Sequence, residues 1–226
     1  MCALLPSNVP ILFGMICAPA TRFNIMFFNI LNQSYNAGLN YANGSGTDDS
    51  TNFLLMSYCL AIFSSVGTGI LFKTIFSNKQ NLSILKEGAI RVLPSCVAGF
   101  LNAFFMRSDY ISKGIMIKDE KGNELGLSKK AGFNAVMESS FSRFFIPLPG
   151  IFSIIAIRYL RNFKLSKSKD ILFQIVFCMV HLGISLPASI AIFKQYSEIS
   201  INSLELELQE NAKKFNSREA IYNKGL

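Results

Sequence analysis

The sequence predicts an all-α integral membrane protein of about five transmembrane helices, four to six being allowed, with a short β-hairpin in the loop before the fourth. Half of the 226 residues are hydrophobic and only 16% are charged. The mean hydropathy of +0.35 is high for a soluble domain of this length. Two stretches, Phe53–Phe72 and Ile171–Phe193, run for twenty and twenty-three residues without a charged side chain. Either one crosses a hydrocarbon core about 30 Å thick.

Three further spans need more support. Residues 1–21 carry no charge but are interrupted by Pro6, Pro10 and Pro19, so a broken or partial span is expected there. Val92–Met106 offers fifteen apolar-rich residues and reaches across only if Arg91 and Arg107 snorkel outward from its ends. Phe144–Ile157 contains Pro147 and Pro149 and needs the helix before it, from about Ala131, to complete the crossing. The chain thus divides into a transmembrane helical domain over 1–193, including an extramembrane hairpin loop over 107–130, and a polar carboxy-terminal tail over 194–226.

The net charge is +8, yet the basic residues fall between the spans and form no patch interleaved with aromatics. The composition therefore points to a lipid bilayer as partner and to no nucleic acid. Lys73, Lys79, Lys86 and Arg91 flank one connection, and Arg158, Arg161, Lys164, Lys167 and Lys169 fill another. The positive-inside rule puts the amino-terminal side in the matrix or cytosol. The cysteines show no metal-ligand spacing and lie mostly in apolar runs, so they read as small hydrophobes. No metal and no cofactor are predicted. No enzyme is predicted either: a single histidine and scattered serines define no nucleophile–base constellation, and phosphate-binding glycine patterns are missing.

The polarity is concentrated in Asn29–Asn43. Asparagines stand at positions 29, 32, 36, 40 and 43, with Gln33 beside them, and no charge occurs between Arg22 and Asp48. Spacings of three and four put these amides on one side of a helix over roughly 21 Å of axis. Three roles suit them: contact with a small polar solute, bonding between helices, or the wet face of an interfacial helix. His181, near the centre of the last apolar run, is a candidate for proton coupling or a neutral imidazole bonded to backbone. Arg143 is a carboxylate clamp or a snorkelling anchor. In the connection after Arg107, Gly114–Ser128 reads as two short strands around a Lys121-Gly122-Asn123 turn. Ser128 is the expected cap of the helix that follows. The acidic segment with Glu205, Glu207 and Glu210 is expected to be solvated or to dock a partner.

Taken in order, these pieces resemble the sideroflexin family. Asn32-Gln-Ser-Tyr-Asn-Ala-Gly-Leu-Asn-Tyr-Ala-Asn43 is similar to the family's signature. It is followed by Asn102-Ala-Phe-Phe-Met-Arg107, by Asp119-Glu-Lys-Gly-Asn-Glu-Leu-Gly-Leu-Ser128, by Ser142-Arg143 and by Pro147-Leu-Pro-Gly150. Ser203–Gln209 and Tyr222-Asn-Lys-Gly-Leu226 match the family's ending. The likeness runs from about Pro6 to the last residue. Nothing corresponds to the family's usual amino-terminal segment with its His-Pro-Asp-Thr-Gly-Glu element, so a late start or a shortened paralogue is expected.

The resemblance implies a multi-pass protein of the mitochondrial inner membrane. It would transport serine and other small neutral amino acids to supply one-carbon metabolism. Asn32, Gln33, Ser34, Asn36, Asn40, Asn43 and Arg143 are then the candidate substrate contacts, with His181 the candidate for proton coupling. Amides suit this task because they offer donors and acceptors to a zwitterion without a fixed charge that would trap it. The alternatives are a non-transporting membrane scaffold or respiratory-complex assembly factor, and a carrier linked to iron homeostasis. Homo-oligomers or membrane-protein partners fit any of these readings.

Overall fold

Pro19 sets the first break. In the computed structural model, which describes residues 4–42, 48–76, 83–161, 163, 166–214 and 219–224, α1 (Leu4–Cys17) stops short of it. Helix α2 (Arg22–Ala42) starts just after, with the Thr21 hydroxyl accepting the Asn24 N–H at 3.1 Å as an N-cap. The remaining elements are α3 (Asp48–Phe76), α4 (Ile84–Met106), α5 (Asp109–Lys113), β1 (Ile115–Asp119), β2 (Glu124–Ser128), α6 (Lys129–Phe145), α7 (Gly150–Arg161), α8 (Lys167–Ile192), β3 (Tyr196–Ser200), a 3-10 turn (Ile201–Ser203), α9 (Leu206–Lys214) and β4 (Glu219–Asn223). They form two units, one from residues 1–102 and 143–189, the other from residues 103–142 and 190–226.

Among the described residues, four segments are long and apolar enough to cross a membrane: Leu55–Phe76, Leu85–Met106, Lys129–Leu160 and Lys167–Ser189. The expected first crossing over 1–21 is not among them. Its helix α1 has 14 residues, about 21 Å of axis against a core of about 30 Å. The expectation for Arg91 also needs correction. Helix α4 begins at Ile84, so the span is long enough without snorkelling, and the Arg91 side chain is only 9% exposed. The stretch Lys129–Leu160 is built of α6 and α7, interrupted at Pro147-Leu-Pro-Gly150.

The first unit buries many polar side chains and turns large apolar ones outward. Phe63, Phe152, Leu172 and Ile184 face outward, while Ser57, Ser65, Ser95, Ser153, Gln174, His181, Ser185 and Ser189 are buried. Water would drive the opposite arrangement. With hydrocarbon as the solvent, outward phenylalanine and leucine cost nothing, and small hydroxyl residues let helix backbones approach closely. A smaller apolar cluster of Ile16, Val92, Cys96, Ile154, Ile157 and Cys178 ties α1, α4, α7 and α8 together.

Helices α2 and α3 run antiparallel. Near one end a Cβ on Gly69 would lie 2.5 Å from Ile25 Cγ2. Towards the other, Ser34 and Tyr58 share a hydrogen bond. On α3 the residues buried at intervals of four are Ser57, Ala61, Ser65 and Gly69, a small-residue row that Ile25 of α2 meets at Gly69.

In the second unit the hairpin forms as expected. Ile115 opposes Ser128 and Met116 opposes Leu127. Asp119 Oδ1 accepts the N–H groups of Lys121 and Asn123 at 2.9 and 2.7 Å, and Gly122 takes φ +89, a conformation that favours glycine. The segment read from sequence as a polar tail supplies two more strands, giving one antiparallel sheet in the order β2-β1-β4-β3. One face of that sheet buries Ile117, Leu125, Ile199, Ala220 and Tyr222 against Ala131, Ala135, Leu208 and Ala212. Ser128 caps α6 as expected, accepting the Ala131 N–H at 3.1 Å.

Candidate functional site

The amide row of α2 divides into parts with different surroundings. Asn29 and Gln33 are buried, each at 3% exposure. Asn32 and Asn36 are half-buried. Asn29 Nδ2 donates to the Ile25 carbonyl of its own helix at 2.8 Å, and its Oδ1 is buried without a partner. The Ser34 hydroxyl bonds both the Ile30 carbonyl, at 2.9 Å, and the Tyr58 hydroxyl, at 2.8 Å. Asn40 falls on the helix, and Asn43 lies outside the described residues. The row therefore meets α3 at Ser34, through the bond to Tyr58. Arg143 stands exposed in the last turn of α6.

A second polar place, which the sequence reading did not single out, lies where α1 ends. A shallow open crevice there is lined by Gly14, Ala18, Pro19, Asn24, Asn29 and Arg91, among others. Arg91 reaches into it from α4. One of its terminal nitrogens, Nη1, donates to the carbonyls of Met15, at 3.2 Å, and Ala18. The other donates to Glu87 Oε1 at 3.0 Å. Glu87 is shared, since its second oxygen accepts from Arg158 Nη1 at 2.8 Å. The guanidinium thus takes up carbonyls that the end of α1 leaves without helical partners. Its Nε–H remains buried and unbonded. An unsatisfied buried group costs about 1–3 kcal/mol, more when charged. The sequence signal was Arg91 itself, a cation seven residues inside a helix of membrane length. Only the fold shows the carbonyls that hold it.

The third place surrounds His181. Its ring is 6% exposed, and its Nδ1 is buried without a partner. A Cβ on Gly150 would stand 3.4 Å from both His181 Cε1 and Val92 Cγ2, so α8, α7 and α4 converge there. Ser185 and Ser189 continue the buried polar row on α8. Among the described residues, no three His, Cys, Asp or Glu side chains gather in a group that could hold a metal ion.

In the second unit the polar groups serve the fold. Tyr222 donates its hydroxyl to Glu138 Oε1 at 3.2 Å. Lys224, only 6% exposed, pairs with Glu138 Oε2. Burial raises the Tyr222 phenol above its ordinary value, the neighbouring Glu138 charge adds to the rise, and a bond with Ser197 opposes it. Burial also pushes the Glu205 carboxyl up. Hydrogen bonds from its own backbone, from the N–H groups of Lys130 and Lys129, and from the Ser128 hydroxyl outweigh that, and hold it below its ordinary value.

The family model described as sideroflexins matches residues 1–226. Sideroflexin-5 of Homo sapiens is 29% identical, over 100% of this chain and 68% of the relative. A sideroflexin of Dictyostelium discoideum is 34% identical, over 99% of this chain and 71% of the relative. Sideroflexin-1-3 of Drosophila melanogaster is 29% identical, over 100% of this chain and 72% of the relative. No solved structure matches the chain.

Proposed function

The chain belongs to the sideroflexin family, and from that premise we propose that it is a mitochondrial inner-membrane transporter of serine and other small neutral amino acids, serving one-carbon metabolism. The observation that carries this reading is the interior of the first unit. Asn29, Gln33, Ser57, Ser65, Ser153, Gln174, Ser185 and Ser189 are buried polar groups without charge, set among helices that turn their apolar side chains outward. Such groups bond a zwitterion at either end and release it again. Breaks at Pro19 and at Pro147-Leu-Pro-Gly150 agree with it, because carriers use interrupted helices to present free backbone groups to a solute.

In this reading Asn32, Gln33, Asn36, Asn40 and Asn43 serve the solute's passage, with Ser34 holding α2 against α3. Arg143 serves as an anchor at its helix end. His181 couples a proton to the movement. Uptake of labelled serine into proteoliposomes of the purified chain tests the proposal. Saturable uptake that is lost in Asn36→Leu and Asn40→Leu is the expected result. Uptake no faster than in empty liposomes, from a folded protein, would overturn it. That outcome would favour a membrane scaffold, a reading supported by the bond between Ser34 and Tyr58, which uses the polar stripe to join helices.

A further inference from the structure

We propose that Cys17 and Cys178 are a redox pair, two thiols that hydrogen peroxide converts into a disulfide tying the end of α1 to α8. Far apart in sequence, they meet inside the first unit. Cys178 is fully buried in the apolar cluster that joins α1, α4, α7 and α8, and Cys17 packs against that same cluster. Both are free, and the two side chains are hydrogen-bonded to each other. From thiols in such contact to an S–S bond the sulfurs close by about 2 Å. Rotation of the two side chains supplies that distance. The pair holds whether or not the chain carries serine.

The two thiols differ in what reaches them. Cys178 has no exposed surface. Cys17 is half-buried at the last position of α1, two residues before the exposed Pro19. Hydrogen peroxide is small and uncharged, so it meets Cys17 first. The Cys17 sulfur attacks one peroxide oxygen, the O–O bond breaks, and a sulfenic acid and one water form. The Cys178 sulfur then displaces the sulfenic hydroxyl, which leaves with the Cys178 proton as a second water. In sum, two thiols give up two electrons and two protons, and the peroxide is reduced to two waters. Arg91 steadies the encounter. It holds the carbonyls of Met15 and Ala18, on either side of Cys17, and so fixes the end of α1 to α4. Cys96, buried in the same cluster, and Cys59, exposed on α3, are internal controls. If Cys17 and Cys178 only fill space, as small apolar side chains do, peroxide leaves them unlinked.

The test uses the full chain in proteoliposomes, treated with dilute hydrogen peroxide, blocked with iodoacetamide, digested and analysed by mass spectrometry. Peptides linked through Cys17 and Cys178 are expected, and dithiothreitol should release them. Cys17→Ser and Cys178→Ser should each abolish the link, while Cys96→Ser and Cys59→Ser should leave it in place. In Cys178→Ser the sulfenic acid on Cys17 has no partner, so dimedone should label it there and label the parent far less. If Cys178→Ser fails to fold, Cys17→Ser, a change at a half-buried position, still decides. Thiols left unlinked in a folded parent, or Cys17 recovered only as sulfinic or sulfonic acid, would overturn the pair. So would a link from Cys17 to Cys96 or to a second chain in its place, or equal dimedone labelling in the parent and Cys178→Ser.

Discussion

Glu205 caps a helix that starts 76 residues before it: its Oε2 accepts the Ser128 hydroxyl at 2.8 Å, and its Oε1 accepts the Lys129 and Lys130 N–H groups at 2.9 and 3.1 Å. Those donors are the unsatisfied first amides of α6, and a carboxylate there also meets the positive end of the helix. Glu205→Ala should destabilise the second unit by about 1 kcal/mol, the usual cost of a lost cap. Faster amide exchange at Lys129 and Lys130 would report it.

The same cap makes this unit sensitive to acid. Glu205 is held below its ordinary value of 4.5, so the folded state binds its proton less readily than the unfolded chain does. The contribution is full above pH 4.5 and is lost as the pH falls through the lower folded value. Amide exchange at Lys129 should therefore accelerate in acid. In Glu205→Gln that pH dependence should be much reduced.

Lys224 is a buried cation whose charge is met by Glu138. Removing one partner of such a pair strands the other. Glu138→Gln should destabilise the strand region by about 3 kcal/mol, whereas Glu138→Gln combined with Lys224→Met should recover much of that loss. Denaturation of the purified chain in detergent, followed through Tyr222 and its neighbours, distinguishes the two variants.

Gly69 permits the close contact of α2 with α3. A single methyl there would sit 2.5 Å from Ile25 Cγ2, a methyl on the branched Cβ of a side chain that is only 7% exposed. Gly69→Ala should cost about 1–3 kcal/mol through overpacking, and Gly69→Val more. Cysteines placed at Ser34 and Tyr58 should cross-link readily in the parent and less in Gly69→Val.

Tyr58→Phe separates structure from transport at the polar stripe. It removes one bond between helices, worth about 0.6 kcal/mol in a membrane, and leaves every amide of α2 in place. A small fall in melting temperature with serine uptake preserved is expected. Loss of uptake from a folded Tyr58→Phe would instead move Ser34 from helix joining to solute contact.

Local chemistry made the hairpin legible before any fold was known. The Lys121-Gly122-Asn123 turn and the Ser128 cap rest on neighbours within four residues, and both form as expected. Strands β3 and β4 were not legible, because each is five residues of mixed polarity whose partners lie far away in sequence. The same reason explains Arg91. Its charge at a span's end suggested snorkelling, but the carbonyls of Met15 and Ala18 approach only in the folded chain. The α2 helix could be read from spacing, whereas its close approach to α3 depends on the small-residue row of α3, where Ile25 meets Gly69. A row of serine, alanine and glycine carries little hydropathy signal of its own.

The strand order has a temporal consequence. Strand β1 sits between β2 and β4, with Ile117 opposite Tyr222. During synthesis the hairpin therefore waits, one edge open, while α6, α7 and α8 are made. An open edge invites foreign strands, and pairing over so long a separation is slow. The unit closes only when its final strand arrives. A ribosome stalled before Glu219 would leave a chain with its membrane helices already made and an unpaired edge for quality-control factors to find.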